Sequence, residues 1–241
     1  MIIFNNLSKA YYGKNYVVTN LNLKINSGEI IGLIGHNGAG KTTTLKMLSG
    51  ILKPSKGEIN VFSKTLSNDN ITVKKMINYV PDKPIILLEL TGLEYLEFIS
   101  NIYEVPLEER NTNIALLTKK FKVENVLNDK LKNYSQGMRK KLMLIASFIS
   151  NAKILVLDEP LTGLDPEAIF ILKELLKDYV KKGNIVIFST HLLDIAESFC
   201  TRFFILNKGN IIFDGDIYKL KDKYGEDASL EDVFMEVIKN E

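Results

Sequence analysis

The sequence predicts an α/β fold with a parallel core sheet, an N-terminal antiparallel β-subdomain and an all-helical insert. Three observations predict it. An apolar run, Ile30-Ile31-Gly32-Leu33-Ile34, leads into a glycine-rich segment and then a helical pattern. Two more apolar runs, Ile154-Leu155-Val156-Leu157 and Ile185-Val186-Ile187-Phe188, each end in polar residues, as parallel strands buried on both faces do. Across residues 87–151 the apolar spacing changes to that of helices, over a length sufficient for a subdomain. The 241 residues are therefore expected to form one domain, with residues 1–86 and 152–241 as the core and 87–151 as the helical subdomain.

The elements follow in order. Residues 1 to 27 alternate like strands of a small antiparallel sheet, through Ile2, Phe4 and Leu7, then Val17, Val18, Leu21, Leu23 and Ile25. Asn26-Ser27-Gly28 is a turn. After the glycine-rich segment, a helix begins near Thr43 and ends before Gly50 and Pro54-Ser55-Lys56-Gly57. Glu58-Ile59-Asn60-Val61-Phe62 alternates as a strand, and Ile77-Asn78-Tyr79-Val80 is a short one stopped by Pro81. In the insert, Leu93, Leu96, Ile99 and Ile102 recur at helical spacing, as do Ile114, Leu117 and Phe121 beyond Pro106. Ser135 is a good N-cap for a third helix carrying Leu142, Ile145 and Ile149. Asp165-Pro166 supplies a cap and a first-turn proline for a helix through Ile169, Leu172, Leu176 and Val180. Residues 202–206 and 210–213 form a hairpin around Lys208-Gly209, and the tail from Asp216 is charged and helical.

Composition narrows the function classes. Apolar residues make up 46% and charged residues 25%, ordinary for a globular chain. The 31 basic and 29 acidic residues nearly cancel, so nothing marks a nucleic-acid partner. Cys200 is alone, so no intrachain disulfide can form, which suits a reducing compartment. The start, Met1-Ile2-Ile3-Phe4-Asn5-Asn6, lacks the basic and apolar regions of a signal peptide. No apolar run approaches the roughly 18 residues of a membrane span.

The chemistry collects at strand ends, where open parallel sheets bind ligands. Gly35-His36-Asn37-Gly38-Ala39-Gly40-Lys41-Thr42-Thr43 has a Gly, four free positions, then Gly-Lys-Thr, between a strand and a helix. That arrangement wraps phosphates: glycines turn the backbone N–H groups inward, and the helix N-terminus adds positive potential. Lys41 is placed to neutralise β- and γ-phosphate oxygens, and the Thr42 hydroxyl to bind Mg²⁺. Asp158 closes an apolar run and is suited to hold Mg²⁺. The adjacent Glu159 is suited to polarise a water that attacks the γ-phosphate. Tyr134-Ser135-Gln136-Gly137-Met138 is, taken alone, a helix cap with a nearby glycine, and its helix N-terminus can bind phosphate. The basic turn Arg139 to Lys141 reads as a solvated helix face.

These motifs together resemble the nucleotide-binding subunit of an ABC transporter over nearly the full chain, a phosphate-loop ATPase. Residues 35–43 resemble the Walker A loop; Ile154 to Asp158, Walker B; Glu159, the catalytic glutamate. Thr162-Gly163-Leu164-Asp165 resembles the D-loop, and His191 the switch histidine. Tyr134 to Met138 stands at the signature, Leu-Ser-Gly-Gly-Gln in the family. It keeps Ser135 and the second glycine, Gly137, but has Gln136 and Met138 elsewhere. This version resembles the drug- and peptide-export branch. So does the tail Ser229-Leu230-Glu231-Asp232-Val233-Phe234, which is expected to pack or dimerise rather than catalyse. After Tyr79-Val80-Pro81 the family usually has Gln, and Asp82 stands there, still able to accept from Mg²⁺-bound water. Spacing to Gly28 suggests Tyr12 as the aromatic stacked on adenine, with Tyr11 as the alternative.

The resemblance implies ATP and Mg²⁺ as ligands, and a head-to-tail homodimer or paired subunit. In it, each ATP sits on one copy's phosphate loop and is capped by the other's Ser135 and Gly137. It also implies a separate transmembrane permease, with this chain on the cytoplasmic face of the membrane. A soluble ABC-type ATPase of DNA repair or translation is the alternative. Such proteins usually carry two cassettes, a coiled coil or zinc cysteines, and this chain has one cassette and one Cys. A binding-only subunit is disfavoured by Lys41, Asp158, Glu159 and His191. A guanine-specific enzyme is disfavoured because Asn207-Lys208-Gly209-Asn210 fits a hairpin turn better than a base-binding motif.

Overall fold

A computed structural model of the chain describes residues 1–11, 13, 15–67, 70–83, 87–225 and 229–239, with side chains to Met235. Strands β1 (Ile2–Ala10) and β2 (Tyr16–Ile25) pair antiparallel, with Ile2 opposite Ile25 and Phe4 opposite Leu23. Next come β3 (Ile30–Ile34), α1 (Lys41–Leu48), β4 (Lys56–Val61), β5 (Lys64–Thr65), the one-turn α2 (Ile71–Lys74) and β6 (Ile77–Val80). The insert holds α3 (Gly92–Ile102), α4 (Leu107–Lys120), two 3₁₀ turns and α5 (Gln136–Ile149). The chain returns through β7 (Ile154–Leu157), α6 (Pro166–Lys181), β8 (Ile185–Thr190), the short α7 (Leu193–Glu197), β9 (Arg202–Asn207) and β10 (Asn210–Gly215). It closes with α8 (Ile217–Tyr224) and α9 (Leu230–Lys239).

Two sheets result. The first has the order β2-β1-β4-β5 and is antiparallel; the second runs β10-β9-β3-β8-β7-β6. In the second, β6, β7, β8, β3 and β9 are parallel neighbours, and β10 returns antiparallel at the edge. The central strands β3, β7 and β8 are buried at every position. That burial explains why they read as unbroken apolar runs rather than alternating ones.

Each central strand divides its side chains between two cores. Ile31, Leu33, Ile154, Val156, Ile185 and Ile187 face the first sheet and α1. Ile34, Leu155, Leu157, Val186 and Phe188 face the helices. Leu45, Met47 and Leu48 of α1 fill the layer between the sheets. The helical insert has no separate core: Leu96, Ile114, Leu142 and Ile145 belong to the same apolar cluster as Leu155 and Val186.

Local signals set the helix ends. Thr91 and Glu94 form a capping box on α3, satisfying two backbone donors reciprocally. Asp165 accepts from the Ala168 N–H at 2.8 Å, ahead of Pro166. Asp214 grips Arg202 with two short bonds of 2.6 and 2.7 Å, fixing β10 to β9 at the sheet edge.

Candidate functional site

The loop at the end of β3 is held from both sides. The Ala39 N–H donates to the His36 carbonyl at 3.1 Å, and the Gly209 N–H donates to the Ala39 carbonyl at 3.0 Å. Gly40 has φ +108°, and a Cβ there would lie 2.8 Å from the Val17 carbonyl oxygen, so only glycine fits. Gly40 is also the N-cap of α1 and offers no side-chain cap. The first-turn N–H groups have no partner within the helix, and an anion is what satisfies such an end.

Lys41 folds back over this loop. Its Nζ donates to the Gly35 carbonyl at 2.6 Å and the His36 carbonyl at 3.2 Å. It lies 3.9 Å from Glu159 Oε1. Burial pushes its pKa below the ordinary lysine value, and the charges of Glu159 and Asp158 partly restore it. Thr42, the next residue, is exposed.

Asp158 is 2% exposed, and each of its carboxylate oxygens accepts one hydrogen bond. Its Oδ1 accepts from Ser189 Oγ at 2.6 Å and its Oδ2 from the Tyr79 hydroxyl at 3.3 Å. Burial, then the Asp158 charge, raises the Tyr79 pKa far above the usual phenol range, so Tyr79 stays a donor. Glu159 has a left-handed backbone, φ +45°, a strain of order 1 kcal/mol for a non-glycine residue. Its N–H donates to Ser189 Oγ at 2.9 Å, and its Oε2 lies 3.0 Å from His191 Nδ1. The serine thus bridges the two acidic residues. The imidazole is 57% exposed, so it can reach a ligand.

Two clefts share the Glu159 wall. The first, about 210 Å³, is lined by His36, Asn37, Gly38, Gly40 and Lys41 to Thr43, with Asp82, Asp158 and Glu159 opposite. The second, about 320 Å³, runs from Gly35, His36 and Asn37 past Asp82, Glu159 and Thr162 to His191 and Phe234. Ala39 is buried behind the loop and lines neither. Ser135 and Gly137 also line neither. Ser135 caps α5, its Oγ accepting from the Met138 N–H at 3.2 Å. Tyr12 lies outside the described residues. Tyr11 is half exposed, its hydroxyl 3.3 Å from Thr43 Oγ1.

One expectation is corrected. Arg139 to Lys141 is not a solvated face. Lys140 is 2% exposed, and its Nζ donates to the carbonyls of Pro81, Asp82 and Asp158 at 3.2, 3.1 and 3.3 Å. Arg139 donates to the carbonyls of Leu131 and Lys132, and Lys141 pairs with Asp165 at 2.6 Å. The reason is that α5 lies over the end of the sheet, so its first turns point inward at strand ends. Burial lowers the Lys140 pKa, opposed by Asp82, Asp158 and Glu159.

Ser189, Tyr79 and Lys140 were absent from the sequence-derived site. The strand register carries a signal for the first: Leu157 pairs with Phe188, so the next residues, Asp158 and Ser189, are neighbours. The tail packs within its own chain. Leu230 and Val233 are buried, and the Phe234 ring lies 4.7 Å from that of His36.

A phosphate loop, a strand-end Asp-Glu pair and a histidine around two adjoining clefts define a nucleotide-binding α/β cassette. Residues 18–162 match the family model described as "ABC transporter". The ABC-type transporter ATP-binding protein EcsA of Bacillus subtilis is 35% identical over 95% of this chain and 94% of its own. A solved ATP-binding subunit of an ABC transporter superposes with a TM-score of 0.94 at 30% identity, covering 99% of both chains. A dimeric post-hydrolysis ATP-binding cassette bound to ADP and Pi superposes with a TM-score of 0.82 at 26% identity, covering 90% of this chain and 99% of that one. The chain belongs to the ABC transporter family, in the class of ATP-binding subunits.

Proposed function

We propose that two copies close head to tail on two ATP molecules, hydrolyse them, and thereby drive transport, in the export direction, through a separate membrane subunit. The observation that carries this is a half-built site. Lys41 and Asp158 line one cleft and His191 the adjoining one, with Glu159 shared between them, while Ser135 and Gly137 lie outside both. A second copy's α5 N-terminus supplies the missing cap on the γ-phosphate. The dimeric cassette bound to ADP and Pi supports this arrangement.

Each residue then has a role. Loop N–H groups from His36 to Thr43, with Gly35 and Ala39 shaping the turn, hold the β- and γ-phosphates, and Lys41 neutralises them. Glu159 accepts a proton from the attacking water, its carboxylate aimed by His191 and its backbone by Ser189. His191 donates to the γ-phosphate. For adenine, Tyr12 or the half-exposed Tyr11 supplies a stacking face.

Mg²⁺ fits the donor set. Among the described residues no three acidic, His or Cys side chains form a preformed metal cage. Mg²⁺ typically takes one or two carboxylates, waters and substrate phosphates, and the Thr42 hydroxyl with Asp158 and Asp82 offers that. When bound, it neutralises charge developing on the phosphoryl oxygens.

No helix among the described residues is long and apolar enough to cross a membrane. On the family resemblance we assign the permease to a separate chain, with this one docked on its cytoplasmic side. Export rests on the likeness of Tyr134 to Met138 and of residues 229–234 to the export branch.

The test is Glu159→Gln. It should lower turnover by about 10²- to 10⁴-fold while leaving nucleotide bound, so that ATP and Mg²⁺ convert a monomer to a stable dimer. Size-exclusion chromatography with light scattering reads the mass. A variant that binds ATP and stays monomeric overturns the head-to-tail reading.

A further inference from the structure

Lys140 performs no task in the mechanism above, yet it is more deeply buried than Lys41. Its ammonium carries three protons, and the structure provides three acceptors: the carbonyls of Pro81, Asp82 and Asp158, at 3.1 to 3.3 Å. Among the described residues no carboxylate is in ion-pair contact with it. Burying a cation is costly, and the carboxylates of Asp82, Asp158 and Glu159 offset that cost only from beyond contact distance. A methionine would fill that space without desolvating a charge. Such a cation is retained where it fixes a geometry that apolar packing leaves loose.

The three carbonyls belong to two strand ends. Pro81 and Asp82 follow β6; Asp158 ends the β7 run and precedes Glu159. Lys140 itself stands in the second turn of α5, the helix whose first turn carries Ser135 and Gly137. Its neighbour Lys141 reaches a different element, pairing with Asp165 at the N-cap of α6. Two consecutive lysines therefore bolt one helix to both flanks of Glu159.

We propose that Lys140 is a positioning residue that couples the α5 N-terminus to the Asp82 turn and the Asp158-Glu159 strand end. If α5 shifts as a rigid rod, the ammonium must either drag the Asp82 turn with it or abandon buried carbonyls. Leaving buried acceptors unpaired is the costlier course, so the motion is transmitted. This deepens the proposed function and rests on it: a copy whose Ser135 engages a partner's nucleotide would report that contact to its own Asp82 and Glu159.

The experiment compares Lys140→Met with Lys140→Arg, and adds Lys140→Gln as a variant that keeps a donor should the methionine fail to fold. Two readouts are taken: ATP turnover, and hydrogen exchange of peptides covering residues 77–83 and 133–141 with and without ATP and Mg²⁺. Wild type should change protection in both segments together. Lys140→Met should lower kcat by up to about 100-fold, as small misplacements of reacting groups do, with KM within a few-fold. It should also keep the ATP response at 133–141 and lose it at 77–83. Lys140→Gln should show the same split more weakly, and Lys140→Arg should restore most of kcat. A merely structural lysine would lower the unfolding temperature and leave kcat and the paired response intact, and that result overturns the proposal. Wild type without turnover or any ATP response would instead condemn the head-to-tail reading, so the two failures are distinguishable.

Discussion

Two helix N-termini in this chain carry small residues suited to phosphate, and they are built in opposite ways. The N-terminus of α1 is capped by Gly40, which has no side chain to offer, and its first residue is Lys41. The N-terminus of α5 is capped by Ser135, whose own Oγ accepts from the Met138 N–H. The first end is left open: Asp158 and Glu159 stand across its cleft, and His191 lines the cleft that adjoins it at Glu159. The second has one of its first-turn donors satisfied by its own serine and opens onto solvent, with Ser135 and Gln136 exposed. On the proposed reading the open end holds a phosphate by itself and the capped one adds to a phosphate already held elsewhere, which is the division of labour a two-copy site requires.

The largest effect should come from removing the cation at the open end. Lys41→Met deletes the ammonium that donates to the loop carbonyls, the charge that in the proposed mechanism neutralises the γ-phosphate. Turnover should fall by at least about 10²- to 10³-fold, the cost of losing one strong electrostatic stabiliser. Phosphate release under saturating ATP measures it. Undiminished release would mean the two ends do not differ as described.

At the capped end the effect should be smaller and separable into two parts. Ser135→Ala loses the cap and should cost about 1 kcal/mol of stability. Ser135→Asp keeps a capping oxygen, so thermal unfolding should stay near wild type. Its carboxylate would face a partner's triphosphate, however, and should abolish the ATP-dependent dimer in the Glu159→Gln background. If Ser135→Asp dimerises as well as the parent, α5 does not touch nucleotide and its serine is only a cap.

The contrast also explains what the sequence revealed. The open end was legible because every residue it needs is contiguous, from Gly35 to Thr43, and flanked by a strand and a helix. Asp158 and Glu159 were legible because an apolar run ends at them, and His191 through the family resemblance. Ser189, Tyr79 and Lys140 act through pairings between distant segments. Tyr79 and Asp158 are 79 residues apart, and Ser189 and Asp158 are 31 apart. Nothing local marks a serine or tyrosine for such a task. Lys140 misled for a related reason: three consecutive basic residues read as solvated, and only the packing of α5 over β6 and β7 turns the middle one inward. The fold was legible in its central strands, α5 and α6, because β-type runs and helix caps are local. The absence of a separate core in the insert was not, since Leu142 and Ile145 carry the same apolar signal whichever neighbour they bury against.

The smallest expected effect sharpens the comparison at Gly137, which lies in the first turn of α5. Alanine is the better helix former there by up to about 1 kcal/mol. Its Cβ, however, would sit 2.9 Å from the Gly163 carbonyl oxygen of the same chain, closer than a carbon and an oxygen comfortably approach. The Gly163 loop leads into Asp165, which Lys141 grips at 2.6 Å, so a small displacement would be passed to the α6 cap. The two terms oppose, and Gly137→Ala should change stability by less than about 1 kcal/mol, either way. Turnover should still drop several-fold, because the loop moves relative to Glu159. Thermal unfolding and phosphate release measured on one preparation separate the two. A gain near the full helix-propensity value with unchanged turnover would show that α5 and the 162–165 loop are not held in register, and that this end of the molecule is as open as the other.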